Sequence, residues 1–264
     1  MSTQTSTIHP SAVIHPDAVL GDGVTVGPYA VIESQVRIGN GTEIGSHVFV
    51  GQYTDIGSRC KIHTGAIVGS EPQHKDYKGE RSYARIGDRV VIREYATINR
   101  ATVLDGVTRI GDDCLLMAFI HVAHDCILGN GVILSNLATL AGHIELGDFS
   151  VVGGQSAIHQ WTKIGEGVMV GGTSGVAVHV PPFVTIMGYA PAKIIRVNRR
   201  GLENRNIPVE IIAQIEDCYR ILRRVNPKPA AIAEIESSVP DSPAREKILR
   251  FLKENSPIAH FATR

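Results

Sequence analysis

Aliphatic residues recur at every sixth position through most of this chain. Counting from Ile8, the register runs through Ile14, Leu20, Val26, Ile32, Ile38, Ile44, Val50, Ile56 and Ile62 to Val68. After a gap it resumes at Ile86 and continues through Ile92, Ile98, Leu104 and Ile110 to Val176, with no polar residue in phase. Helices repeat near 3.6 residues and strands at 2, so a period of six is neither. It fits a short strand followed by a turn, repeated. Three such units close a triangular coil of about eighteen residues, and successive coils stack at strand spacing, about 4.8 Å.

The slots around the aliphatic residue support this reading. Glycine often follows it, as at Gly27, Gly39, Gly45 and Gly111, and is expected to relieve the corner. Two positions before it stands a small or β-branched residue, such as Ala18, Thr42, Ala66 or Ser156, which shares the interior. Cys60, Cys114 and Cys126 occupy this slot and read as packing thiols. The four cysteines form no CxxC pair and fit a reducing compartment. A narrow triangular core also accounts for only 5% aromatic residues.

The gap, about residues 69–85, is polar, carries Pro72, and must leave the coil as a protruding loop. Long loops on rigid scaffolds often carry function. Beyond Val176 the repeat stops and Pro181-Pro182 marks a change. Ile207-Pro208 opens a helix whose apolar face is Ile211, Ile212, Ile215, Cys218, Tyr219 and Leu222. Further helices are expected at Ala230–Ser237 and Pro243–Glu254. The expected division is a solenoid over 1–190 and a helical domain over 191–264 that caps one of its ends.

Lysine plus arginine equals aspartate plus glutamate, 26 each, which gives no support for a nucleic-acid binder. No apolar stretch is long enough to span a membrane, and the first residues show no signal-peptide pattern. A cytoplasmic location is expected.

An eighteen-residue coil predicts neighbours. His124 stacks with Gly142 and then Gln160, with His143 and His159 flanking that column and His121 three residues before His124. Four of the 11 histidines thus converge on one outward surface. His121 and His124 could share a metal. The chemistry favours a general base instead: histidine titrates near neutrality, and Asp125 can hold its tautomer. Gly142 offers an unobstructed backbone N–H to a developing oxyanion. No nucleophilic serine or cysteine pairs with His124, which points to direct transfer.

The repeat resembles the hexapeptide-repeat acyltransferases, and the left-handed sense of the coil is taken from that resemblance. The implied class is an all-β, left-handed parallel β-helix with a small C-terminal helical domain. More specifically, HVAHDC at His121–Cys126, NLATLAGH at Asn136–His143, GGQSAIHQW at Gly153–Trp161 and MVGGTSGVA at Met169–Ala177 resemble the UDP-N-acetylglucosamine O-acyltransferases. Ile92–Arg100, Gly79-Glu80 and a tail with Asn198, Gly201 and Arg205 fit as well. The resemblance covers nearly the whole chain.

It implies transfer of a (3R)-3-hydroxyacyl group from acyl carrier protein to the 3-OH of UDP-N-acetylglucosamine, the first step of lipid A synthesis. A homotrimer with active sites between subunits is implied, and no cofactor or metal. Residue by residue, it implies His124 as base, Asp125 as its supporting carboxylate and Gly142 as donor to the thioester oxygen. His121, His143, His159 and Gln160 would line the cleft, and Asn198 and Arg205 would bind nucleotide. Gly172 would set acyl length, its lack of a side chain favouring a longer chain. Between Pro191 and Arg224, eight basic residues face four acidic ones, which suits a diphosphate and an acidic carrier.

The protruding loop departs from the family. The usual PQDLKY is PQHKDY here, with His74 where an acid is expected and Asp76 where a lysine is expected; both remain candidate substrate contacts. Asn204 also replaces a common arginine. The altered loop leaves open a UDP-sugar with an amine at C3 as acceptor. Two other readings compete. A sibling N-acyltransferase usually carries a further domain before its repeats. A zinc-bearing carbonic anhydrase relative has a histidine spacing not reproduced here.

Overall fold

A computed structural model of the chain describes residues 6–189 and 191–262. The five leading residues, where no signal pattern is read, and position 190, where the expected domain boundary falls, lie outside the described residues.

Nearly every six-residue unit forms a two-residue strand and a turn, and the strands stack into three parallel sheets. The first sheet runs from Thr7–Ile8 to Met169–Val170, the second from Val13–Ile14 to Gly175–Val176, and the third from Val19–Leu20 to Lys163–Ile164. They are the walls of a left-handed parallel β-helix. The register residues line its interior: Ile32, Ile92, Ile98, Leu116, Leu128, Leu134 and Leu140 are among the largest fully buried side chains. Burying a side chain of this kind is worth about 1.5–3 kcal/mol.

The small interior slots hold polar atoms that satisfy the next coil. Thr42, Ser150 and Ser156 donate to the carbonyls of Gly57, Gly165 and Gly171, and the Cys126 thiol lies 3.1 Å from the Ala141 carbonyl. Burial pushes the Cys126 thiol up to about 12, so it stays protonated. All four cysteines are free and buried.

The glycine after each aliphatic residue has a different role from the one expected. A Cβ on Gly39 would lie 2.6 Å from the backbone carbon of Gly57, and one on Gly111 equally close to Gly129. These glycines let one coil approach the next. The left-handed corner residue stands two positions further on and is usually not glycine, as at Tyr29, His47, Tyr95, Phe119, Asp125 and His143.

Register reveals two insertions. Ile44 pairs with Ile62, but Ile62 pairs with Ile92 and Ile92 with Leu116 before eighteen-residue spacing returns at Leu134. The first insertion is the expected loop, between strands Ile67–Ser70 and Tyr83–Ile86. The second lies between Thr97–Asn99 and Val107–Ile110, and it corrects the sequence register. Leu104 is 65% exposed and not an interior residue. The insertion adds one six-residue unit, so the phase survives while Leu104 swings outward. Both insertions leave the corner between the second and third sheets, one coil apart.

At the C-terminal end, Val184–Met187 extends the first sheet and Lys193–Val197 pairs with it antiparallel. Four helices follow: α1 Arg199–Asn204, α2 Val209–Arg224, α3 Lys228–Ser238 and α4 Pro243–Glu254. The short α1 was not foreseen. Pro208 stands immediately before α2, at its N-cap position and without a side-chain cap, whereas Ser242 caps α4 by accepting from the Arg245 N–H. On α2, Ile212, Ile215, Cys218, Tyr219 and Ile221 are buried, whereas Ile211 and Leu222 are only partly so. The Tyr219 hydroxyl donates to the Pro182 carbonyl and ties α2 to the solenoid end.

Candidate active site

The corner between the second and third sheets carries a vertical column of polar groups. Strand His121–Val122 leads into His124-Asp125, Thr139–Leu140 into Gly142-His143, and Ala157–Ile158 into Gln160-Trp161. Both insertions fold against the same column. Stacking follows from backbone bonds: the His143 N–H donates to the His124 carbonyl, and the Trp161 N–H to the Gly142 carbonyl, each at 3.1 Å.

Asp125 and His143 sit at the left-handed corner, with φ of 60° and 59°. This conformation costs roughly 1–2 kcal/mol for a residue with a Cβ. At Asp125 it turns the carboxylate back along the column. Oδ2 of Asp125 lies 2.9 Å from Nδ1 of His124 and 3.6 Å from Nε2 of His143. A carboxylate only accepts here, so Nδ1 of His124 carries the proton and Nε2 is left as the free acceptor. The second insertion fixes the carboxylate: the Thr102 hydroxyl donates at 2.7 Å and its N–H at 3.2 Å. Thr108 accepts from the Asp125 N–H at 2.8 Å.

The His124 side chain is only 9% exposed. The sequence placed it on an open outward surface. It does point away from the solenoid interior, but the neighbouring groups cover it. The His74 ring from the first insertion stands edge-on to it at 5.2 Å, and the His143 ring at 5.3 Å from another side. His143 in turn stacks flat on Trp161 at 3.7 Å. Gly142 completes the enclosure: a Cβ there would sit 2.9 Å from both His124 ring nitrogens and closer still to Cε1. No described residue accepts from the Gly142 N–H.

Burial depresses the basicity of His121, with the nearby His124 adding to the effect. Burial also lowers His143, and His124 and His74 reinforce this against an opposing pull from Asp125. His121 is oriented by Thr97, 2.8 Å from its Nδ1. His159 and Gln160 are exposed, with Nδ1 of His159 3.1 Å from the Gln160 carbonyl. His124, Asp125 and His143 offer three potential metal-donor atoms within 4.8 Å of one another.

The first insertion is anchored by a buried cation that sequence reasoning did not single out. Arg100 donates to the Gly69 carbonyl, to Glu71 and to the Tyr77 hydroxyl. Asp76 and His74 line a small hollow with Tyr77, Glu80, Thr102, Val103 and Leu104, between the two insertions. Sequence reasoning likewise missed Thr102 and Trp161. The stacking rule could have supplied Trp161, which falls eighteen after His143. Thr102 had no such signal, because it lies inside an insertion.

Three expected site residues stand on other edges. Gly172 stacks on Gly154 at the corner between the first and second sheets, and a Cβ there would meet the Gly154 carbonyl oxygen at 3.3 Å. Asn198 caps α1 by accepting from the Gly201 N–H and donates to the Gly167 carbonyl. Arg205 pairs with Glu166 at 2.6 Å and lies 4.0 Å over the Phe149 ring. Within one chain, the structure therefore joins His74, His124, Asp125, Gly142 and His143, but not Gly172, Asn198 or Arg205.

Among the described residues, no helix is long and apolar enough to cross a membrane. Residues 179–258 match the family described as UDP-N-acetylglucosamine O-acyltransferase, domain 2. Residues 5–34, 17–52 and 108–142 match the bacterial transferase hexapeptide family. An acyl-[acyl-carrier-protein]–UDP-N-acetylglucosamine O-acyltransferase from Janthinobacterium sp. (strain Marseille) is 46% identical, covering 94% of this chain and 95% of its own. One from Herminiimonas arsenicoxydans is 43% identical over 96% and 98%. Among solved structures, the UDP-N-acetylglucosamine acyltransferase from Campylobacter jejuni superposes with a TM-score of 0.92 at 38% identity, covering 97% of this chain and 100% of its own. That from Bacteroides fragilis gives 0.91 at 34%, over 97% and 99%. The hexapeptide-repeat solenoid agrees with identities of 46% and 43% over nearly the whole length, and the chain belongs to the UDP-N-acetylglucosamine O-acyltransferase family.

Proposed function

We propose that this protein transfers an acyl group, of the (3R)-3-hydroxy type, from acyl carrier protein to the 3-OH of UDP-N-acetylglucosamine, opening lipid A synthesis. The observation that carries the mechanism is the 2.9 Å contact from Nδ1 of His124 to Asp125, which leaves Nε2 as a free base. Nε2 takes the proton of the sugar 3-OH as that oxygen attacks the thioester carbonyl. The carbonyl oxygen gains negative charge and is met by the Gly142 N–H. Asp125 stabilises the imidazolium. Collapse of the intermediate breaks the C–S bond, and the imidazolium returns the proton to the departing thiolate. An ester and a free carrier thiol result, with no covalent enzyme intermediate.

His74, Asp76, His121, His143, His159 and Gln160 are assigned to the substrate cleft, Asn198 and Arg205 to the nucleotide, and Gly172 to acyl length. The last three stand on edges remote from the His124 corner of the same chain. A homotrimer that brings edges of neighbouring chains together accounts for that distribution. The solenoid over 1–190 and the tail over 191–264 are then a catalytic scaffold and a basic docking element for the diphosphate and the carrier. A cytoplasmic setting fits a carrier-protein substrate. The related enzymes named above are O-acyltransferases, which favours a hydroxyl acceptor over an amine.

The test is direct. The protein is incubated with 3-hydroxyacyl carrier protein and UDP-N-acetylglucosamine, and ester formation is followed beside a His124→Ala control. Ester formation that collapses in the control supports the reading. No transfer refutes the function, and full activity in the control refutes the mechanism.

A further inference from the structure

We infer that His124, Asp125 and His143 form an inhibitory site for a divalent transition ion, with zinc as the fitting case. A tetrahedral zinc ion bonds nitrogen and oxygen at about 2.0–2.2 Å, which sets its ligand atoms about 3.4 Å apart. Oδ2 of Asp125 stands 2.9 Å from Nδ1 of His124 and 3.6 Å from Nε2 of His143, on either side of that spacing. All three donor atoms fall within 4.8 Å of one another. The groups are already held in place: Thr102 fixes the carboxylate, and stacking on Trp161 fixes the His143 ring. Three protein ligands leave a position open to water or substrate oxygen.

Occupancy silences the base without covering it. His124 uses Nδ1 for the Asp125 contact and Nε2 as acceptor. An ion on Nδ1 takes the lone pair that becomes available when the proton there moves away. The neutral ring keeps one proton, now on Nε2. That nitrogen becomes a donor and can no longer accept from the sugar hydroxyl. The ion also occupies Asp125 and removes its stabilisation of an imidazolium. Binding needs only the three residues; inhibition rests on the base assignment proposed above.

The experiment titrates the full-length, substrate-free protein with cobalt(II), whose visible bands intensify in a tetrahedral site. One equivalent is expected to bind, and zinc is expected to displace it. Asp125→Asn and His143→Gln should each weaken binding at least about tenfold, with the far-UV circular dichroism of each variant checking that it is folded. Absence of the bands, or bands unchanged in both variants, overturns the site. Zinc should then slow acyl transfer and a chelator restore it. Cobalt binding without zinc inhibition overturns the tautomer argument. Because the spectral readout needs no turnover, failure of the site and failure of the acyltransferase reading are separable.

Discussion

Gly142 faces the His124 ring so closely that a methyl group there would lie 2.9 Å from both ring nitrogens and closer to Cε1. Nothing in the backbone at Gly142 demands glycine, since its φ is not in the left-handed region. The constraint is the ring. Gly142→Ala should therefore fold normally but push His124 off its Asp125 contact. A misplacement of about 1 Å can cost about 100-fold in rate. Steady-state kinetics should show kcat falling by about that factor, with far-UV circular dichroism unchanged.

Thr102 lies in the second insertion, yet its hydroxyl reaches Asp125 at 2.7 Å. Thr102→Val keeps the shape and the backbone donor but removes the hydroxyl. A hydrogen bond to a charged group contributes about 1.5–3 kcal/mol. Part of that is retained through the N–H, so kcat should fall about tenfold. Thr102→Ser should recover most of it. Equal activity in the valine and serine variants would show that the hydroxyl does not position Asp125.

The solenoid was legible because its period is unlike those of helices and ordinary strands. The site column was legible because eighteen-residue stacking is unbroken from Ile110 to Val176. Two of the failures at the site share one physical cause, the insertions. An insertion of one whole unit preserves the aliphatic phase, so Leu104 passed as an interior residue and the contact of Thr102 with Asp125 stayed hidden. The burial of His124 was missed likewise, since period alone cannot show an insertion folding back. The glycines were located but misread: close approach of coils, and not a left-handed corner, requires them. Asn198 and Arg205 came from family resemblance alone, which could not foresee that Asn198 caps α1 and that both reach back to the solenoid at Gly167, Glu166 and Phe149.

His121 and His143 titrate below the ordinary histidine value, chiefly through burial. The folded protein thus binds fewer protons than the unfolded chain between those depressed values and about 6.5. Stability should fall as pH drops through that window. Glu166 behaves differently. Burial raises it, but hydrogen bonds from Lys247 and Arg205 outweigh this and hold it below its usual value. Its contribution is present above the unfolded carboxylate value and lost only at lower pH, as the folded value is crossed. Melting curves should show two acid-side losses. His121→Gln should shrink the upper one and leave the lower one in place.

Arg100 is 7% exposed and holds three points of the first insertion. Arg100→Met retains much of the apolar stem but frees Gly69, Glu71 and Tyr77. Glu71 is largely exposed, so its share of the loss is small. The buried contacts should still cost about 1–3 kcal/mol. The loop carrying His74 and Asp76 would then be ordered only on binding substrate. KM for the sugar nucleotide should rise about tenfold with a smaller change in kcat. Faster amide hydrogen exchange confined to residues 71–82 would identify the loop as the cause.

Arg205 separates two accounts of the tail. Its pairing with Glu166, which Lys247 of α4 also engages, makes it a tether between the helices and the solenoid end. Its guanidinium covers the Phe149 ring, yet Nη1 is buried beside Gly167 without an acceptor among the described residues. A cation with one satisfied and one unsatisfied edge can serve both as tether and as anchor for a phosphate. Arg205→Lys keeps the charge but cannot pair on two edges at once. As tether alone, Arg205→Ala should lower stability by about 1–2 kcal/mol and expose the tail to protease, with KM for UDP-sugar unchanged. As anchor too, both variants should raise that KM, alanine more than lysine, while lysine restores most of the melting temperature. The second pattern is expected from the assignment of Arg205 to the nucleotide, with binding turning the buried, unpartnered Nη1 edge outward.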